Sequence, residues 1–264
     1  MARTKKKQQG VQGVEIGLNL AFTLAHAPGP LALRELARAA GLPPSKAHRY
    51  LVSLCRAGLV RQDGQNGRYD LGTGALHLGL AAQRRLDEFQ LADEAIAELY
   101  EATGLTIGLA VWGDHGPTVV RRKEGAHAVT VSTRVGSVMS VVGTNAGRLF
   151  AAFLPEAVAR PHIEAEFRRG APASDMGRPL DRAGFEQVLE RVRAQRLSRN
   201  RGDTVAGIDA VSAPVFDHEG TIVMVLSIMG SRGVIDLTLE SAPVRALVRI
   251  AGALSQKLGA RLTP

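Results

Sequence analysis

The chain has 264 residues, of which 45% are apolar and 22% charged, so it is long enough for two domains with packed cores. Its uninterrupted apolar runs are far too short to span a bilayer, and no apolar segment follows the basic N-terminus as a secretory signal requires. The single cysteine, Cys55, excludes an intrachain disulfide and fits a reducing compartment, so we expect a cytoplasmic protein. Cys55 is expected to be a packing or surface residue, with redox sensing as the alternative.

The net charge of +8 is unevenly distributed along the chain. Residues 1–85 carry 13 Lys and Arg against four Asp and Glu, whereas the remaining residues carry 20 against 21. A basic module joined to a near-neutral one predicts that only the first third of the chain contacts nucleic acid.

The N-terminal 25 residues combine a polar arm with a helix. Residues 1–12 are expected to form a disordered basic arm, in which Lys5 and Lys6 either belong to a solvated tail or reach the phosphates and minor groove of DNA. Residues 14–25 have helical spacing, with apolar residues on two sides. One side is expected to cover the core that follows, and the other to meet a partner such as a second subunit.

Residues 13–73 are expected to form a winged helix-turn-helix domain. Gly41 ends a short helix, and Pro44 lies in the first turn of a longer one, as in helix-turn-helix motifs. The polar and basic residues that open the second helix would enter a DNA groove. They are Ser45, Lys46, His48 and Arg49.

Two of these helix residues and the hairpin after them leave alternatives open. Arg49 would hold a base edge or a phosphate, or remain a solvated charge. His48 would contact DNA or make a hydrogen bond between helices. Residues 59–71 read as two short strands around a Gly- and Asn-rich turn, which predicts a wing with Arg61 and Arg68 on the DNA backbone. The alternative is an ordinary surface hairpin.

The rest of the chain predicts a linker helix and a second domain. Residues 74–87 read as the linker, and residues 88–262 as an α+β domain with a mixed or antiparallel sheet. Residues 128–133 read as one of its strands, and residues 138–142 as a strand or an irregular lead into a helix at residue 145. Residues 170–178 read as a loose loop.

Five stretches of the sequence resemble the IclR family of bacterial transcriptional regulators. In the first domain they are residues 31–60 (LALRELARAAGLPPSKAHRYLVSLCRAGLV) and 67–72 (GRYDLG). In the second they are the small-residue turn at 143–148 (GTNAGR) and the strands at 207–216 (GIDAVSAPVF) and 226–228 (LSI). Their order and spacing match that family over about residues 14–258.

The resemblance implies a one-component switch. Its N-terminal domain would bind double-stranded operator DNA, and its GAF-like C-terminal domain would bind a small-molecule effector and build a homodimer or homotetramer. No cofactor or metal is implied. The family match places the effector against ten residues. They are Met139, Val142, Gly143, Thr144, Asn145, Asn200, Asp203, Ala210, Ser227 and Met229.

Departures from the family pattern bear on the effector. Val142 stands where many members have His, Arg148 replaces a usual Lys, and Met229 replaces a second Ser of some members. Met139, Val142 and Met229 would give the effector site a less polar lining than His and Ser would. Together with free N–H groups where a helix begins after Gly143, this lining favours an organic acid with a sizeable apolar or aromatic part. In the alternatives, Met139 and Met229 belong to the core, and Asp203 caps the chain near Asn200.

Two other classes of protein are weighed against a regulator. An enzyme would need a nucleophile elbow, a phosphate-binding loop or a metal-ligand cluster, and the sequence has none of these motifs. A ligand-independent DNA-binding protein would not need a near-neutral second domain of about 175 residues. The sequence does not distinguish repression from activation.

Overall fold

A computed structural model describes residues 10–126, 134–170, 174–175, 178–202 and 206–261. Lys5, Lys6 and Asp203, and the strand expected at residues 128–133, lie outside the described residues. The chain divides into two compact units, Met1–Leu86 and Asp87–Pro264. Residues 74–86 of the expected linker helix fall in the first unit, and Asp87 begins the second.

The first unit is a winged helix-turn-helix. Its elements are α1 (Gln12–His26), α2 (Leu33–Ala39), α3 (Pro44–Arg56), β1 (Val60–Gln62), β2 (Tyr69–Leu71) and α4 (Thr73–Arg84). Strands β1 and β2 pair antiparallel, with Arg61 opposite Asp70. Gly41 takes a φ of +67° after α2, which confirms the helix stop expected there, and Gly58 takes a φ of +72° after α3.

Two helices of the first unit expose apolar side chains. On α1, Leu20 and Leu24 are buried in the core of the unit, whereas Val14, Leu18 and Phe22 are exposed. Helix α4 has no buried residue, and its exposed leucines add to the apolar surface of this unit. They are Leu76, Leu78 and Leu80.

The second unit is a five-stranded antiparallel sheet between two layers of helices. Its helices are α5 (Glu88–Thr103), α6 (Asn145–Phe153), α7 (Glu156–Arg168), α8 (Arg182–Gln195) and α9 (Ala242–Lys257). The strands of the sheet are β3 (Thr106–Gly113), β4 (Gly116–Lys123), β7 (Ser198–Arg201), β8 (Ile208–Phe216) and β9 (Ile222–Ser231), in the order β4-β3-β9-β8-β7. A short pair, β5 (Ser174–Asp175) and β6 (Arg178–Pro179), lies in the expected loose loop.

The two faces of the sheet differ in side-chain size. Helices α5 and α9 cover large apolar residues such as Leu109, Leu226 and Ile228. Helices α6, α7 and α8 belong to a second core, to which the sheet contributes Ala110 and Val225. Residues 138–142 form the irregular lead expected as one alternative, with a single β-bridge from Val138 to Thr118.

Helix α6 packs closely on the loop before it because Gly147 has no side chain. A Cβ at this position would lie 2.3 Å from the carbonyl oxygen of Ser140 and 2.4 Å from that of Val141. Backbone atoms of a bonded loop cannot move aside as a flexible side chain can. Gly147 therefore sets the distance between α6 and residues 140–143.

We predict that Gly147→Ala destabilises the second unit by about 3 kcal/mol, because the added methyl group overlaps backbone oxygens. The matched control is Gly252→Ala on α9, where no described atom outside the local helix backbone lies within 4 Å of the new Cβ. The control should gain about 0.5–1 kcal/mol, since alanine is the better helix former. Denaturant unfolding followed by circular dichroism measures both. Equal stability of the two variants would contradict the close packing of α6.

Candidate functional site

The first two turns of α3 present a basic surface to solvent. Ser45, Lys46 and Arg49 are exposed, because Ala47 and Leu51 face the core of the unit and turn the intervening residues outward. In the part of the chain that the structure describes, no carboxylate forms an ion pair with Lys46 or Arg49. Both cations are therefore available for an external anion.

His48 is exposed but connects α3 to the wing. Its Nδ1 lies 3.4 Å from the hydroxyl oxygen of Tyr69 on β2, and the two groups share a hydrogen bond. Tyr69 is buried, and burial raises the pKa of its hydroxyl group. The alternative of a hydrogen bond between helices is wrong in its partner, because Tyr69 lies on a strand, and contact of His48 with DNA stays a prediction.

The two wing arginines are engaged differently. Arg61 pairs with Asp70 across the hairpin at 2.7 Å. Arg68 donates to the carbonyl oxygen of Pro30 at 3.0 Å and to Glu35 on α2 at 3.2 Å. A hydrogen bond from the backbone N–H of Ala32, followed by the charge of Arg68, lowers the pKa of Glu35. Arg68 thus fastens the wing to α2, and contact of either arginine with DNA stays a prediction.

Cys55 lies in the last turn of α3, is partly buried and packs against the core of the first unit. Burial raises the pKa of its thiol, which lowers the fraction of thiolate at neutral pH. A low-reactivity thiol fits the packing role expected for Cys55.

The second unit contains a cavity of about 450 Å³ between the sheet and the segment that leads into α6. The floor of the cavity is the surface of the sheet, where strand register aligns three small residues. Gly108 on β3 lies opposite Ser227 on β9, and Ser227 lies opposite Ser212 on β8. These small residues leave space that larger ones would fill. The two serine hydroxyls are 2.7 Å apart and hydrogen-bonded to each other.

The structure brings seven of the ten expected effector residues together on the cavity wall. They are Met139, Thr144, Asn145, Asn200, Ala210, Ser227 and Met229. Val142 is fully buried in the core around α6, and Gly143 does not line the cavity. Asp203 lies outside the described residues. Met139 and Met229 are wall residues of the cavity and not only core residues, and contact with an effector stays a prediction.

The amide of Asn145 fastens the helix to the sheet. Its nitrogen donates to the carbonyl oxygen of Ala210 at 3.0 Å, and its oxygen accepts from the hydroxyl of Ser198 at 2.9 Å. Thr144 caps α6 by accepting from the N–H of Gly147 at 3.0 Å. Asn145 and Thr144 thus hold the wall in place with the same groups that an effector would otherwise use.

The loop before α6 already holds a carboxylate of the protein. Glu166 on α7 accepts from the backbone N–H of Val141 at 2.7 Å, from that of Val142 at 3.0 Å and from the hydroxyl of Ser140 at 2.6 Å. The N–H of Gly143 donates to the hydroxyl oxygen of Ser140 at 2.8 Å. These bonds occupy the N–H groups of residues 141–143, before the helix, so binding of an effector carboxylate by the N–H groups where α6 begins after Gly143 stays a prediction.

Sequence reasoning missed several wall residues, of which Arg122 has the clearest chemistry. It lies on β4 opposite Gly108, and it is the one charged residue among the described residues that line the cavity. In the sequence it stands within Arg121-Arg122-Lys123, where nothing distinguishes the inward residue from its neighbours. Only the register of β4 on β3 shows that Arg122, and not Arg121 or Lys123, lies opposite Gly108. The other missed wall residues include Gly108, Ala110, Ser137, Ser140, Ile208 and Ser212.

The described ranges lack two other kinds of site, a metal centre and a membrane-spanning helix. These residues contain no group of three or more His, Cys, Asp and Glu side chains that could hold a metal ion. None of the helices formed by them is long and apolar enough to cross a membrane.

Family models match both units of the chain. The bacterial transcriptional regulator IclR C-terminal domain matches residues 81–256, and the IclR helix-turn-helix domain matches residues 13–64. The chain belongs to the IclR family of bacterial transcriptional regulators.

Relatives extend this match over nearly the whole chain. The transcriptional repressor IclR of Escherichia coli is 27% identical over 83% of this chain and 80% of its own length. The glycerol operon regulatory protein of Streptomyces griseus is 29% identical over 96% of this chain and 98% of its own. The crystal structure of Pseudomonas aeruginosa HmgR is 35% identical, covers 96% of this chain and 100% of its own, and superposes with a TM-score of 0.80.

Membership of the IclR family decides between the classes weighed from the sequence. The matched domains and the relatives are transcriptional regulators and not enzymes, so the chain is a regulator with a DNA-binding and an effector domain. The winged helix-turn-helix and the α+β second unit confirm the fold class expected from the resemblance.

We predict that Arg49→Ala lowers the preference for a selected duplex over a scrambled one by about 10- to 100-fold, because a bidentate base contact is lost. The duplex is one that the wild-type protein selects from a random pool, and fluorescence anisotropy at physiological salt measures both affinities. Arg84→Ala on α4 is the control, since it removes the same charge from another exposed position. An unchanged preference in Arg49→Ala, with the size of the protein also unchanged, would exclude Arg49 from base recognition.

Proposed function

We propose that this IclR-family protein represses transcription by binding operator DNA as a homodimer or homotetramer, and that a small organic acid in the second unit relieves or alters that binding. The single observation that carries the effector assignment is the cavity of about 450 Å³, whose described wall residues are largely apolar or hydroxyl-bearing and include one arginine. Small-molecule sites combine these features: an apolar enclosure and a few fixed polar groups.

The DNA-binding part of the proposal rests on α3 and its charge. Ser45, Lys46 and Arg49 are exposed on the first two turns, which is the end of a recognition helix that contacts base edges. Arg61 on the wing retains a side chain that is 64% exposed despite its pair with Asp70, and an exposed pair exchanges readily for a phosphate. Lys5 and Lys6 would add contacts from the N-terminal arm.

Self-association rests on the apolar surface of the first unit. Val14, Leu18 and Phe22 on α1 are exposed together with the leucines of α4, and exposed apolar surface of this kind marks interaction sites. A second copy is the proposed occupant, because a dimer would place two recognition helices on the two half-sites of a symmetric operator.

Repression is proposed from the relatives. Those named as repressors include IclR of Escherichia coli and the acetate operon repressor of Salmonella typhimurium, which is 26% identical over 83% of this chain. A reporter gene placed behind the selected duplex would respond in opposite directions to a repressor and to an activator.

We predict that Phe22→Asp reduces the self-association of the full chain, because a charge replaces an aromatic ring that is 60% exposed on α1. Val158→Asp on α7, at a valine that is 39% exposed, is the control. Light scattering after size-exclusion chromatography gives the mass of each variant. A Phe22→Asp variant with the wild-type mass would contradict the proposed interface.

Small aromatic acids should stabilise the protein against heat. At a hundredfold excess over Kd, we predict that benzoate or phenylacetate raises the melting temperature by about 5 °C, because a ligand of the folded state alone stabilises it. Benzamide and phenylacetamide have nearly the same shape without the charge and serve as controls. Stabilisation by the amides only would contradict an organic-acid effector.

A further inference from the structure

Arg122 occupies an unusual place for a charged residue. Its side chain is 9% exposed and lies on the cavity wall, opposite the bare backbone of Gly108. An arginine withdrawn from water normally has an anionic partner, because burial of an unpaired charge is costly. The identity of the anion that pairs with Arg122 therefore determines the charge properties of the cavity wall.

One such partner in this structure is Glu124, two residues further along the chain. The Nε of Arg122 lies 2.9 Å from one carboxylate oxygen of Glu124, and an Nη lies 3.4 Å from the other. Two contacts from one guanidinium to both oxygens are the arrangement with which arginine recognises a carboxylate. Glu124 itself is 61% exposed and keeps most of its hydration.

We propose that Arg122 receives the carboxylate of the effector, and that Glu124 occupies the guanidinium until the effector displaces it. This inference rests on the organic-acid effector proposed above and names its binding residue and its internal competitor. The exchange replaces one carboxylate by another at the same two nitrogens, so no charge is left buried and unpaired.

The backbone next to Glu124 allows the exchange to be a movement of the side chain alone. The N–H of Gly125 donates to the hydroxyl oxygen of Thr106 at 2.9 Å, and the N–H of Ala126 donates to the carbonyl oxygen of Gly104 at 3.0 Å. A Cβ at Gly125 would lie 2.6 Å from the backbone nitrogen of Thr106, so the chain runs directly against β3 here. The pinned backbone stays while the exposed carboxylate swings into water.

The floor of the cavity gives the length and character of the acid. Ser227 lies two strands from Arg122, a backbone distance of about 10 Å at the usual strand spacing. The methyl group of Met229 lies between them, 3.0 Å from the position of a Cβ on Gly108. An acid seated on Arg122 would thus rest its apolar part on a polarisable thioether, and its far end would approach the serine pair.

The test is calorimetric titration of the full chain with benzoate and phenylacetate, and with their amides. Arg122→Met should weaken binding of the acids by about 10- to 100-fold, because a charge-assisted hydrogen bond pair is lost. Glu124→Gln should strengthen it by about three- to tenfold, because the internal competitor loses its charge. Binding of the amides should change little in either variant.

Arg121→Met is the matched control, since Arg121 precedes Arg122 on β4 but pairs with Asp93 and lies over the ring of Phe89. It should bind the acids as the wild type does. Opposite shifts in Arg122→Met and Glu124→Gln cannot arise from misfolding, which weakens binding in both.

Two outcomes would overturn the inference, and they are distinguishable. If the wild type and Arg122→Met bind the acids equally, the organic-acid proposal is retained, but Arg122 does not bind the carboxylate of the effector. If the wild type binds the amides as tightly as the acids, or binds neither acid, the organic-acid proposal fails together with the role of Arg122. A Glu124→Gln variant that binds the acids more weakly would exclude Glu124 as a competitor.

Discussion

The second unit depends on a row of residues that lack bulk across the middle of its sheet. Gly108, Ser227 and Ser212 lie side by side on three hydrogen-bonded strands, and none carries more than one heavy atom beyond Cβ. Protein interiors are normally close-packed. Because the side chains of this row are so small, a space remains above it unless a neighbouring element fills that space. Helix α6 belongs to the core that includes Val225 on the same sheet, and the cavity remains over the row.

The wall around this space is held by polar groups that satisfy one another. Asn145 ties α6 to β7 and β8, and Glu166 ties the loop before α6 to α7. These bonds fix the enclosure and leave Arg122 as the charged group of the wall within the described residues. The first unit has the complementary arrangement, in which Lys46 and Arg49 are exposed without a carboxylate partner among the described residues. Under the proposed function, the second unit encloses a small organic acid and the first unit binds DNA.

Local patterns in the sequence predicted most of the fold. Apolar spacing located α1, Gly41 and Pro44 located α2 and α3, and the Gly- and Asn-rich turn located the wing. Strand β7 was missed because Ser-Arg-Asn-Arg is a polar edge strand without apolar alternation. The site was predicted less completely, since Val142 is turned into the core, and the partners of Glu166 lie 24 to 26 residues away in the chain. The inward direction of Arg122 depends on strand register, which no local pattern reveals.

The central claim is that occupation of this cavity controls binding of DNA. It is tested most directly by measuring affinity for the selected duplex with and without phenylacetate, in the wild type and in Ala210→Leu. Ala210 lines the cavity, and leucine there would fill the space while leaving α3 untouched. The account predicts at least a fivefold change in the affinity of the wild type, roughly the lower limit of allosteric coupling, and none in Ala210→Leu at equal basal affinity. An equal response of the two proteins, or phenylacetate binding to the wild type without any change in DNA affinity, would contradict it.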